Sequence, residues 1–226
     1  NIYLNDGSIT NNQAACGGGI YSLMANVNHQ SGNTGDLIIR GNTATSQAGG
    51  GIYVNGGTSI SLATTSITEN SAVNGGALAI NGDNASNLSI TLGTSTISGN
   101  HVTNQGGAIY LPKGTLTIAN PTISSNYAKT GGAVYIGGGS LISTGTATIE
   151  NNYSTEAGGA FYVTGGNIQL AGATISGNGK NGSIANTTEG GWDAYFAEGG
   201  KNIAETMGWD FENLDSYQQD FINALT

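Results

Sequence analysis

The chain has 226 residues, of which 39 are glycine and only 8% are charged, and its 14 acidic residues outweigh 5 basic ones to give a net charge of −9. That balance, with no basic stripe, makes nucleic acid and anionic membranes poor partners. No apolar run approaches the ~20 residues that a membrane helix needs, and the single cysteine, Cys16, leaves no internal disulfide to form.

From the start, residues 1–12 (Asn-Ile-Tyr-Leu-Asn-Asp-Gly-Ser-Ile-Thr-Asn-Asn) match residues 167–178 place for place. The chain begins part-way through a repeating unit, without an initiator Met or a signal peptide, and reads as a piece of a longer protein. Two phrases then recur. Gly-Gly-(Gly/Ala)-apolar-Tyr starts at Gly17, Gly49, Gly75, Gly106, Gly131 and Gly158, with Ala79 in place of Tyr in the third copy and a decayed copy at Gly190. Ile-x-x-Asn starts at Ile9, Ile39, Ile67, Ile97, Ile123, Ile149 and Ile175, at spacings of 30, 28, 30, 26, 26 and 26 residues. A period of this size means stacked supersecondary units, none of which can bury its apolar face alone.

Within each unit the pattern is that of strands. Ile52-Tyr53-Val54, Ile109-Tyr110-Leu111 and Val134-Tyr135-Ile136 alternate with period two, as do Ile60 with Leu62, Ile90 with Leu92 and Leu116 with Ile118. Thr, Ile, Val and Tyr favour strands here, and the repeated Gly and Asn supply turns. Each unit therefore reads as three short strands. Stacked in parallel, they give an all-β fold, a right-handed parallel β-helix of about seven coils rising ~4.8 Å per coil.

The regularity varies along the chain. Leu23 to Asp36 lacks the usual middle strand and reads as a loop leaving the solenoid, and Asn81 to Asn87 is a smaller insertion. From Thr94 to Asn178 the repeat is tightest, and over 179–188 it decays. Residues 189–226 then hold 8 of the 14 acidic residues and 1 of the 5 basic ones, hence −7 of the total −9, together with Trp192 and Trp209. Leu214, Tyr217, Phe221, Ile222 and Leu225 fall at helical spacing after a capping box at Asp215 to Gln218. The domain reading is thus repeats over 1–188 and an acidic segment over 189–226 whose short helix caps the last coil.

Alternation fixes the faces. With Ile109 and Leu111 inward, Tyr110 points outward, and stacking brings Tyr21, Tyr53, Tyr110, Tyr135 and Tyr162 into one file interrupted by Ala79. Such a file cements neighbouring coils and can also meet sugar rings, so these five tyrosines are the candidate binding residues. On the last strand, Ser66 and Thr68, Thr96 and Ser98, Thr122 and Ser124, and Thr174 and Ser176 form a hydroxyl lattice of the kind ice-binding solenoids use, broken by Arg40 and Glu150. The asparagines closing the second phrase (Asn12, Asn42, Asn70, Asn100, Asn126, Asn152, Asn178) read as an internal amide ladder.

Catalytic and metal-binding patterns are missing from the sequence. Asp6, Asp36, Glu69, Asp83, Glu150 and Glu156 are scattered over the solenoid, and Glu69 and Glu150 take different places in repeats three coils apart. A glycosidase needs its two carboxylates within ~5–9.5 Å. His29 and His101 have no metal-ligand spacing, and no cofactor motif occurs. Cys16, just before Gly17, reads as a small buried or half-buried residue.

Gly106-Gly-Ala-Ile109, with near copies at Gly75, Gly131 and Gly158, resembles the G-G-A-I motif of the chlamydial polymorphic outer membrane proteins. Ile97-Ser-Gly-Asn100 and its six relatives resemble that family's F-x-x-N motif, with Ile for Phe in every copy. The resemblance covers about residues 1–178. It implies a secreted β-helix displayed on the bacterial cell surface as an adhesin or stalk, non-enzymatic, meeting a host-cell surface protein or glycan. A carbohydrate-active β-helix, lyase-like or glycosidase-like, is the second reading, and an ice-binding solenoid is the third.

Overall fold

The structure, a computed structural model, describes residues 1–29, 36–56, 59–81 and 88–180 and the backbone of Ala194–Phe196. Its strands form four sheets of seven, each strand pairing in parallel with its equivalents one coil away. We name the sheets A to D in the order a coil visits them. One coil runs through Ser89–Leu92 in A, Thr96–Ser98 in B, His101–Val102 in C and Ile109–Leu111 in D. Seven strands per sheet correspond to about six full turns of a parallel β-solenoid.

The expected unit had three strands, and the structure has four. Sheet C was missed because most of its strands are two residues long, such as Thr43–Ala44 and Ser71–Ala72, too short to show alternation. Sheet A also corrects the reading of Leu23 to Asp36. Val27–His29 pairs with Ile2–Leu4 on one side and with Ser59–Leu62 on the other, so the middle strand is present. It was hidden because its second inward residue is His29, buried with its Nδ1 3.2 Å from Thr65 Oγ1 instead of the aliphatic side chain found elsewhere. No helix occurs among the described residues, and the expected capping helix around Leu214 to Leu225 lies outside them. The backbone of Ala194–Phe196 pairs with Phe161–Val163 as the last strand of sheet D.

The core follows from the alternation. Ile39, Ile67, Ile97, Ile123 and Ile149 stack as a fully buried column from sheet B, facing columns such as Ile60, Ile90 and Leu116 from A and Leu78, Ile109 and Val134 from D. Burying one such side chain contributes ~1.5–3 kcal/mol, so one coil with several of them stabilises its neighbours substantially. Sheet C contributes a separate, thinner cluster of Ala44, Ala72, Val102 and Ala128. The next residue in that column is Ser154, fully buried, and its Oγ lacks a hydrogen-bond partner. An unpaired buried hydroxyl costs ~1–3 kcal/mol. Ser154→Ala is therefore expected to stabilise the solenoid by about 1 kcal/mol in urea unfolding; a loss of stability would show that the hydroxyl is satisfied.

The two sequence phrases mark the two sharp corners. In Ile-x-x-Asn the residue before Asn takes a left-handed conformation in every coil, at Gly99 (φ 65°) as at Ser125 (φ 55°), turning the chain from sheet B into C. In Gly-Gly-(Gly/Ala) the first glycine is left-handed, as at Gly106 (φ 66°), and turns the chain from C into D. The third residue faces the core: Ala77, Ala108, Ala133 and Ala160 are fully buried.

Candidate functional site

The solenoid fixes outward side chains at one per rung, and the tyrosine file forms on sheet D as alternation predicts. Ile109 and Leu111 are fully buried with Tyr110 between them on the outer face. The rings stack in two groups. Tyr21 lies 5.3 Å from Tyr53, with planes 20° apart. After the Ala79 rung, Tyr110 lies 5.1 Å from Tyr135 at 17°, and Tyr135 lies 5.9 Å from Tyr162 at 25°.

The five tyrosines are not equivalent. Tyr21 is 47% exposed, whereas Tyr53 is only 3% exposed and packs with Ala48 and Ala79. Asn81 Nδ2 donates to the Tyr53 hydroxyl at 2.9 Å. Burial raises the Tyr53 phenol above its ordinary pKa, partly offset by the Asn81 hydrogen bond. Tyr53 is therefore a packing residue. Tyr110, Tyr135 and Tyr162 stay half-buried and form the accessible stack. Burial, then the neighbouring Tyr135 and Tyr53, raise the Tyr110 phenol as well, so it stays a neutral donor and acceptor at physiological pH.

Beside this stack, where the chain turns from sheet D into A, lies an open depression of about 510 Å³. Pro112, Lys113, Thr115 and Ser140 surround it, and Gly137 and Gly138 lie within it. A methyl group on Gly137 would stand 3.1 Å from Tyr135 Cε1 and 3.1 Å from the Pro112 Cα, so glycine keeps that floor open beside the Tyr135 ring. Tyr135 and Thr164 share a hydrogen bond between their hydroxyls at 3.1 Å. The Tyr135 ring and hydroxyl thus lie beside a corner lined by the hydroxyl residues Thr115 and Ser140 and by Lys113. Sequence reasoning found the rings and missed the depression, because its residues belong to no repeated motif.

The other predicted arrays also form. Asn100 Nδ2 donates to Asn126 Oδ1 at 2.9 Å and to Ile67 O at 3.0 Å, and the same pattern recurs from Asn42 to Asn152. On sheet B, register aligns Ser66, Thr96, Thr122, Thr148 and Thr174 in one column and Thr68, Ser98, Ser124 and Ser176 in the next, with Glu150 inserted. Arg40 forms an ion pair with Glu69, and Lys129 with Glu156. Cys16 is half-buried, its Sγ 3.3 Å from Gln47 Oε1. Among the described residues, no group of three or more His, Cys, Asp or Glu side chains is placed to hold a metal ion.

Two segments, residues 6–23 and 94–112, match the family model of the Chlamydia polymorphic membrane protein repeat. Both cover the same arc of a coil, from sheet B past the ladder asparagine and the paired glycines into sheet D. Those two segments are similar to repeats of the polymorphic membrane protein type. Comparison with curated proteins and with solved structures gives no match. That likeness, together with the parallel β-solenoid, fits a surface repeat protein.

Proposed function

We propose that this segment is a non-enzymatic adhesin rod of a bacterial cell surface, meeting host-cell glycans along sheet D. The observation that carries the reading is the half-exposed Tyr110–Tyr135–Tyr162 stack bordering the depression at Gly137. Stacked rings leave their edges and hydroxyls outward, and the depression adds the hydroxyls of Thr115 and Ser140, which suits a saccharide's many donors and acceptors. The repeat family supports the surface setting. The solenoid supports multivalent contact, since equivalent groups recur rung by rung.

A glycan array on the protein, beside a Tyr110→Ala, Tyr135→Ala double variant, tests the proposal. Binding by the parent and a loss of about tenfold or more in a variant that keeps its β spectrum is the expected result. Binding unchanged in the variant would move recognition off sheet D. No binding at all would leave the rod as a stalk.

A further inference from the structure

Sheet C carries a second aromatic file that neither repeated phrase announces. His101, Tyr127 and Tyr153 directly follow the ladder residues Asn100, Asn126 and Asn152, and pairing sets them on successive rungs. The His101 and Tyr127 ring centroids are 4.6 Å apart with planes 7° from parallel, and those of Tyr127 and Tyr153 are 5.3 Å apart at 14°. Stacking on both sides covers the two faces of Tyr127. Only the end rings have a face turned away from the stack.

At the His101 end, that face meets short side chains. Ser71 pairs with His101 on the preceding rung, and Thr43 pairs with Ser71 on the rung before that. Neither reaches as far from the sheet as an imidazole, and His101 is exposed. A notch results, with an imidazole wall and a hydroxyl floor. At the corner leading into the same two rungs, Arg40 Nη2 and Nε donate to Glu69 at 2.8 and 3.0 Å, a forked pair whose side chains are each 57% exposed. Glu69 precedes Ser71 by two residues and Arg40 precedes Thr43 by three.

The geometry points to a second saccharide site, in which a neutral pyranose lies with its C–H face on His101 above Ser71. A sugar ring offers one apolar face and a rim of hydroxyls that both donate and accept. The notch offers a flat ring and two hydroxyls, with the paired carboxylate and guanidinium at the corner before it. An apolar peptide side chain would leave those polar groups unmatched. A polyanion would meet Glu69 on a chain of net charge −9. The local charges balance, which selects a neutral sugar. This site shares with the preceding proposal the idea that the rod meets glycans, but it stands on a different face and on different residues.

The test titrates the protein with neutral hexose and N-acetylhexosamine oligosaccharides while following the histidine ring protons by NMR. The chain has two histidines, and buried His29 serves as the internal reference. Movement of the His101 signals, with His29 unmoved, is expected for at least one oligosaccharide. His101→Ala should weaken that binding by about tenfold. Ser71→Val, which fills the notch with a residue suited to a strand, should weaken it as much while leaving the melting temperature within a few degrees. The Tyr110→Ala, Tyr135→Ala variant should bind at this site as the parent does, which separates failure here from failure on sheet D. Unmoved His101 signals across the whole series, or parental affinity in Ser71→Val, would overturn the site.

Discussion

Replacing Asn126 with Ala is expected to remove about 3–6 kcal/mol of stability, more than any loss of a single exposed side chain on this solenoid. The amide is fully buried and fully used. Its Nδ2 donates to Ile97 O at 3.0 Å and to Asn152 Oδ1 at 2.9 Å, and its Oδ1 accepts from the backbone N–H of Asn100 at 3.0 Å and from Asn100 Nδ2 at 2.9 Å. Alanine removes three buried bonds at once: the acceptor of the Asn100 N–H, one acceptor of the Asn100 amide, which keeps Ile67 O, and the amide donor to the Ile97 carbonyl. Each costs ~1–3 kcal/mol. Coils contact only their neighbours, so the damage should appear as separation of the unfolding transition into two steps rather than as a uniform shift. Urea unfolding followed by far-UV circular dichroism, with amide exchange on either side of residue 126, measures it.

Asn126→Asp sharpens the same test. The carboxylate still accepts from Asn100 but faces Asn152 Oδ1 with no proton to offer, in a site closed to water. Burial and an opposed acceptor raise the folded-state pKa above the ordinary ~3.9 of the unfolded chain. A raised folded pKa means that the variant recovers stability toward acid and loses it as pH climbs past the unfolded value. The alanine variant should lack that trend. If Asn126→Ala loses under about 1 kcal/mol, or if the aspartate variant shows no recovery in acid, the ladder does not hold the coils together.

The ladder was legible in the sequence because one residue type recurs at one place in every unit, and a buried amide can be satisfied by copies of itself. The core was legible for the same reason: inward positions such as Ile67, Ile97 and Ile123 keep period two within a coil and the unit spacing between coils. Sheet C escaped notice because Ala44 and Ala72 fill a thin layer with two-residue strands. Val27–His29 escaped because one polar side chain replaced an aliphatic one in an otherwise ordinary position.

The candidate faces were legible only where a motif carried them. The Tyr file follows from the Gly-Gly phrase, yet its division into a packed Tyr53 and an accessible Tyr110–Tyr135–Tyr162 stack depends on what covers each ring, which no spacing encodes. The depression at Gly137 joins turn residues from adjacent coils. His101, Tyr127 and Tyr153 could have been found by reading one residue past each ladder asparagine. Histidine in one copy and tyrosine in two look like variation until stacking shows them as one surface.

Gly50→Ala is expected to cost about 3 kcal/mol or more, although it adds a single methyl group. The second glycine of the Gly-Gly phrase crosses close to the sheet C strand of the next coil, at Gly50 as at Gly18, Gly107 and Gly132. A Cβ on Gly50 would stand 2.6 Å from Gly76 O, 2.6 Å from Ser71 O and 2.8 Å from Ser71 N. All three atoms are backbone, so no rotamer change relieves the contact. Gly50 N–H donates to Gly75 O at 3.2 Å, and Ser71 N–H donates to Asn42 O at 2.9 Å, so moving either strand breaks inter-coil pairing. The contrast is Gly138→Ala on an exposed turn, where the nearest atom to an added Cβ is Pro112 O at 3.2 Å and the change should stay within about 1 kcal/mol. Paired urea titrations of the two variants decide the matter, and equal losses would refute the close-approach account. A globular core can shift a neighbouring element to admit a methyl group, but here parallel pairing above and below fixes the distance between coils. The paired glycine therefore recurs at each described turn from sheet C into D, and both matched repeat segments contain it together with the ladder asparagine.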